Sequence, residues 1–204
     1  EFRDVQSCYP IYFKKDPETG SFYPIALFGL EEGQNLFLDD QDMWDATYIP
    51  LMSRRHPFLI AMQSSGDKSD DKKPVISIDM GNPRVNEIEG ELLFKDDGQP
   101  STYTKQIMKI LESIHLGNQS NSDFISEILE LDLLESFTLE VTLSDGSKHA
   151  LSGFYTIKET TLNNLNKDQL ASLQKKGYLL PIYMAVASHA RMRSLVDKKD
   201  KRVG

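Results

Sequence analysis

Apolar and polar positions alternate with a period near two through the first third of the chain, and β-branched and aromatic residues fill the apolar sites. Tyr9-Pro10-Ile11-Tyr12-Phe13 reads as a strand. Asp16-Pro17-Glu18-Thr19-Gly20 is turn chemistry, because Pro presets φ and Gly tolerates φ > 0. Residues 21–28 read as the returning strand, so the two make a hairpin. Pro10 and Pro24 donate no ladder hydrogen bond, which favours strand ends or an edge there. Glu31-Glu32-Gly33 is a second turn and 35–38 a short third strand. A helical turn is expected around 42–52, with Asp42 as its cap and Pro50 disturbing its end. Residues 58–62 and 74–80 read as strands on either side of a polar loop, 64–73, the best site for proteolytic nicking. A looser stretch ends in Leu92-Leu93-Phe94 and the turn Asp96-Asp97-Gly98.

From residue 103 the period lengthens. Tyr103, Ile107, Ile110, Leu111 and Ile114 share one helical face, and Gly117 is the expected stop. Ser122-Asp123 then precedes Phe124, Ile125, Ile128, Leu129 and Leu131, so the pattern predicts an αα-hairpin. Alternation returns over 137–143, with Asp145-Gly146 as a tight turn and 149–157 as the return strand. Asn166 with Gln169 is a capping-box pattern, opening a helix that carries Leu170 and Leu173 and stops at Gly177. A longer final helix is expected to place Leu180, Tyr183, Met184 and Ala187 on one face. Residues 197–204 are charged and expected to fray. These elements predict an α+β fold, a mainly antiparallel β-sheet built from hairpins and packed with helices from the middle and C-terminal parts. One domain over 1–204 is expected, β-rich over about 1–98 and helical with a hairpin over about 99–204.

Composition narrows the partners. The chain is 204 residues long, enough to bury a sizeable core without staples. Lys and Arg number 23 against 31 Asp and Glu, a net charge of −8. That argues against a nucleic-acid partner and against docking on anionic lipid, both of which need a basic footprint. Cys8 is the single cysteine, so no intramolecular disulfide forms. No apolar run reaches bilayer length and none marks a membrane span. The first residues, Glu1 to Val5, hold no signal-peptide hydrophobic region, so a cytoplasmic location is expected; without an initiator Met, an upstream signal stays open.

Catalytic signatures are missing from the sequence. His56, His115, His149 and His189 stand singly, without metal-ligand spacing, and no metal or cofactor is expected. Asp67, Asp70 and Asp71 are interleaved with Lys68, Lys72 and Lys73, which suits a solvated loop better than Ca²⁺. There is no nucleophile elbow, no G-x-G-x-x-G and no P-loop. Cys8 reads as an ordinary thiol. Glu87, Glu89 and Glu91 would share one face of a strand as a solvated edge. His189, Arg191 and Arg193 read as cations complementing a helix C-terminus.

The densest polar and aromatic cluster runs from Trp44, Asp45 and Tyr48 to Arg54, Arg55 and His56. Two readings stand. In the first, Trp44 and Tyr48 are aromatic walls and Arg54 and Arg55 clamp a carboxylate or phosphate. In the second, Trp44 fills core, Tyr48 bonds a buried backbone group and an Arg–Asp pair fixes the connection to the next strand.

The order of segments resembles the SapC family. The stretches that carry it are Tyr9 to Phe13, Phe22-Tyr23-Pro24-Ile25-Ala26-Leu27-Phe28-Gly29-Leu30, Asn35-Leu36-Phe37-Leu38, Trp44-Asp45-Ala46-Thr47-Tyr48-Ile49-Pro50 and Arg54-Arg55-His56-Pro57-Phe58. They continue with Gly90-Glu91-Leu92-Leu93-Phe94, Leu131-Asp132-Leu133-Leu134-Glu135, Gly153-Phe154-Tyr155 and Leu179-Leu180-Pro181-Ile182-Tyr183-Met184-Ala185. Each motif alone is weak; their order is specific. The resemblance implies a bacterial, surface-layer-associated protein, because the family takes its name from a surface-layer locus. Members tend to be encoded near flavin-dependent tryptophan halogenases and TonB-dependent receptors, which implies an accessory role in uptake or modification of a small molecule or peptide. A membrane permease of the same name is unrelated. The resemblance supplies no catalytic residues. The leading expectation is a non-enzymatic accessory or binding protein for a peptide or small-molecule ligand. The alternatives are an enzyme acting on a peptide or amino-acid derivative, and a structural subunit with a protein partner or homo-oligomer.

Overall fold

A computed structural model describes residues 1–64 and 72–203. Most of the expected loop at 64–73, with Asp67, Asp70 and Asp71, lies outside the described residues. Along the chain run α1 (Phe2–Cys8), β1 (Ile11–Lys15), β2 (Phe22–Ala26), α2 (Leu51–Arg54), β3 (Phe58–Ser64), β4 (Lys72–Ile78) and α3 (Thr102–Glu130). They are followed by β5 (Leu134–Thr142), β6 (Lys148–Ile157), α4 (Glu159–Asn163), α5 (Lys167–Lys176), α6 (Leu179–Ser188) and α7 (Arg191–Val203). Two compact units result, one of Glu1–Tyr48 with Ser120–Gly204 and one of Ile49–Gln119. Both sheets are antiparallel and helices pack on them, so the fold class is α+β.

The first unit is a four-stranded sheet in the order β2-β1-β6-β5. β1 is central and begins with three consecutive buried residues, Ile11, Tyr12 and Phe13, before Lys14 and Lys15 reach solvent. A run buried on both faces needs cover on both. Tyr12 stacks on Phe137 at 4.6 Å, while Phe13 meets Phe124 of α3 at 6.4 Å. Pro24 sits in β2, the edge strand, where its missing N–H breaks no ladder. The hairpin turn holds because Asp16 Oδ1 accepts the N–H groups of Glu18 and Thr19. At α5 the capping box forms: Asn166 accepts from Asp168 N and Gln169 N, and Gln169 accepts from Asn166 N. Gly177 closes that helix with φ 77, a left-handed conformation that costs glycine little.

The second unit is smaller in its core. β3 and β4 form a two-stranded sheet, and Phe58, Ile107, Ile110 and Leu111 are its buried cluster. Ile88 is 97% exposed, and Leu92 and Phe94 are exposed too.

Several expectations are corrected. Residues 35–38 are not a strand: Asn35 Oδ1 takes the Phe37 N–H at 2.9 Å, a local turn, and Leu38 keeps only an isolated bridge to Trp44. No helix starts at Asp42, whose φ of 58 is left-handed; the helical turn is α2, which follows Pro50. Gly117 stops nothing, and the expected αα-hairpin is the single helix α3. The final helix is two, α6 and α7, and the buried stripe of α6 is Ile182, Ala185 and Ser188, with Leu180 and Tyr183 exposed. The frayed C-terminus is helical to Val203. Glu87, Glu89 and Glu91 lie in no strand; Asn86 Oδ1 accepts from Ile88 N and Glu89 N and turns the chain there.

Candidate functional site

The six residues singled out from sequence are divided between the two units. Trp44, Asp45 and Tyr48 belong to the first, and Arg54, Arg55 and His56 to the second.

In the first unit, Trp44 is half-buried and meets Phe28 edge-on at 5.5 Å. Its Nε1 donates to the Tyr9 hydroxyl at 2.7 Å, and that hydroxyl donates to the Tyr48 carbonyl. Burial pushes the Tyr9 phenol up to about 12. The Tyr48 hydroxyl donates to Glu1 Oε1 at 2.9 Å. Asp45 is exposed and accepts from Lys198 Nζ at 2.5 Å, which holds its carboxyl below the ordinary value; the same ammonium lies 5.0 Å from the Phe37 ring centre. Thus Trp44, Asp45 and Tyr48 each already hold an intramolecular partner.

In the second unit, α2 and the start of β3 are tied by Arg55. Its Nη1 donates to Phe58 O at 2.9 Å, and Phe58 N donates back to Arg55 O at 2.7 Å. Arg55 Nε is buried without a partner among the described residues. Arg54 and His56 are exposed, and neither side chain has a partner among the described residues. An exposed guanidinium beside one anchored at the strand's start leaves a free planar donor set, suited to a carboxylate.

The C-terminal trio does not sit at one helix end. His189 closes α6, while Arg191 and Arg193 open α7. His189 Nε2 lies 2.9 Å from Thr156 Oγ1, its ring stacks on Tyr12 at 5.0 Å, and burial holds its pKa below the ordinary value. Cys8 lies between Ser7 and Thr47, with Thr47 Oγ1 at 3.2 Å; burial pushes the thiol up, but its hydrogen bonds outweigh this and bring it below its ordinary value.

One arrangement escaped sequence reasoning. His149 Nδ1 is 3.1 Å from Glu31 Oε1, and Lys199 Nζ donates to the same oxygen at 2.9 Å. Ser147 Oγ is 3.4 Å from His149 Nε2, yet it donates to Asp145 Oδ1 at 2.6 Å. A cavity of about 300 Å³ adjoins, lined by Glu140, Thr142, Lys148 and His149 among others. A second, of about 350 Å³, is lined by Leu131, Thr160, Thr161, Asn164 and Leu165 with Gln169. Glu31 and His149 are far apart in sequence, so no spacing signals their pairing. Among the described residues, no group of three or more His, Cys, Asp or Glu is placed to hold a metal, and no helix is long and apolar enough to cross a membrane.

The SapC family model matches residues 1–195. No curated protein and no solved structure gives a significant match.

Proposed function

The chain belongs to the SapC family, and from that premise we propose that it is a non-enzymatic accessory or binding protein that holds a peptide or small molecule by an anionic group. The observation that carries this is the charge around α2 and β3. Residues 49–64 contain Arg54 and Arg55 and no Asp or Glu, within a chain of net charge −8. Arg55 is held by the start of β3, and Arg54 and His56 stand exposed beside it. Trp44, Asp45 and Tyr48 support the fold of their own unit in this reading and leave the ligand to the arginines. A surface-layer association, which the family resemblance implies, and a cytoplasmic location accompany the proposal as its setting.

The test is a titration of ¹⁵N-labelled protein with N-acetyl amino acids and short acidic peptides. Resonances of Arg54 and His56 should move. Arg54→Ala should abolish the response while changing stability by less than about 0.5 kcal/mol, as exposed positions do. An unchanged response in that variant removes the reading. Arg55→Ala is the wrong probe, because it also strips the Phe58 carbonyl of its donor.

An enzyme acting on a peptide or amino-acid derivative has one observation in its favour, the line Ser147, His149, Glu31 beside a cavity. Against it, the Ser147 hydroxyl points its proton at Asp145 and not at His149. Labelling of Ser147 by a fluorophosphonate would reverse this ranking.

A further inference from the structure

The two edges of the β3–β4 sheet are protected unequally. The register pairs Leu59 with Ser77, Ala61 with Val75 and Gln63 with Lys73. Asp79 N donates to Pro57 O directly opposite it, so residues two apart from these, including Leu59, Ala61 and Gln63, turn their backbone groups inward to the ladder. Phe58, Ile60 and Met62 therefore turn theirs outward. Phe58 is satisfied, since Arg55 accepts from its N–H and donates to its carbonyl. The outward N–H and C=O groups of Ile60 and Met62 have no partner among the described residues.

On β4 the outward positions include Pro74, which has no N–H, and the strand begins with Lys72-Lys73. Proline and lysine are the usual means of blunting an edge. β3, Phe-Leu-Ile-Ala-Met-Gln-Ser, has neither a proline nor a charge. Met62 and Ile76 on one face of the hairpin are 57% and 44% exposed. A two-stranded hairpin is marginal alone and gains from a third strand.

Charge selects the occupant. Residues 49–64 and 72–78 carry two arginines and two lysines; Asp79, whose N–H meets Pro57 O, follows β4 on the paired side of β3, and its Oδ1 accepts the Gly81 N–H. A strand antiparallel to β3 places its C-terminus at the Phe58 end. That end carries the Arg55 guanidinium on the outward Phe58 carbonyl, with exposed Arg54 next in the chain. A second copy is the weaker candidate: two open rungs fall far short of the roughly 1,000 Å² that a specific interface buries. We infer that the outer edge of β3, at Ile60 and Met62, receives an extended peptide as an antiparallel third strand, with the peptide's C-terminal carboxylate at Arg54. The inference rests on the anion-binding reading above and adds the backbone rungs and the direction of the chain. Main-chain hydrogen bonds supply affinity in such additions, and side chains at alternate positions supply selectivity.

The probe is acetyl-Glu-Val-Thr-Val-Thr-Val with a free carboxylate, compared with its C-terminal amide and with a version N-methylated at alternate peptide bonds. Of the two alternating N-methylation registers, one removes the donors that would face β3 and the other only those that face away from it. In ¹⁵N spectra the acid should shift the amides of Ile60 and Met62 and slow their exchange. The amide should bind roughly tenfold more weakly, the loss of one charge-assisted pair. One N-methylated register should not bind. Met62→Pro removes an outward N–H and no bond of the β3–β4 ladder and should abolish binding, whereas Met62→Thr should retain it. Binding that ignores N-methylation and Met62→Pro overturns the strand and leaves the anion reading standing. Binding that needs the rungs but ignores Arg54→Ala and the amide end overturns the carboxylate at Arg54 and, with it, that reading. No binding at millimolar peptide overturns both. Concentration-dependent self-association abolished by Met62→Pro overturns the peptide in favour of a second copy.

Discussion

Ser188 shows how one buried hydroxyl can hold two elements. It is fully buried, its Oγ donates to Ala185 O at 2.6 Å, and the same oxygen accepts the Ile11 N–H at 2.8 Å. Ser188→Ala leaves a buried backbone donor without a partner, which costs about 1–3 kcal/mol. A drop of that size in the urea unfolding free energy is expected, and a change under about 0.5 kcal/mol, the surface range, would mean that water replaces the hydroxyl. Nothing in the sequence singles out Ser188, because its donor partner is far away in the chain. Trp44 and Tyr48 were conspicuous by residue type, and their geometry joins them through Tyr9. Arg54 was equally conspicuous, and its exposure leaves it available. Residue type marked both kinds alike; only their neighbours distinguish them.

Helix α3 illustrates the limits of local signals. Gly117 has the composition of a stop, yet it takes no left-handed φ and the helix runs on. Two apolar stripes explain this, one buried at Ile107, Ile110 and Leu111 and one at Phe124, Ile125 and Ile128. Burying a large apolar side chain is worth about 1.5–3 kcal/mol, more than the roughly 1 kcal/mol that one interior glycine costs. A Cβ at Gly117 would meet nothing within 4 Å among the described residues. Gly117→Ala should therefore raise the unfolding free energy by about 0.5–1 kcal/mol, read as a higher urea midpoint at unchanged slope. Destabilisation would show that the glycine is needed for a conformation other than this helix. Hairpin strands, by contrast, were legible: β1, β2, β5 and β6 fall where alternation and turn residues put them. The face of α6 was not, because two stripes of similar period compete and only contact with β1 selects the one through Ser188.

The last turns of α7 fasten distant loops of their unit. Lys198 holds Asp45, Lys199 holds Glu31, Asp200 accepts from Ser144 N and Oγ, and Arg202 donates to Asn35 O and Leu38 O. Ending the chain at Asp197 removes all four. Amides in 31–45 should then exchange several-fold faster, with β1 and β6 unchanged, and added salt should move the intact chain in the same direction. Equal exchange in the two proteins would show that the loops hold themselves. The period of the hydrophobic pattern and the turn dipeptides determined the α+β class from sequence alone, since these depend on neighbours a few residues apart, and the order of the family segments along the chain determined the SapC membership. Among the described residues, tertiary structure decided which cations pair and which stay free, why the charged residues 197–203 are helix, and which strand edge is left open. Those outcomes depend on partners brought together by the fold, which no local spacing encodes.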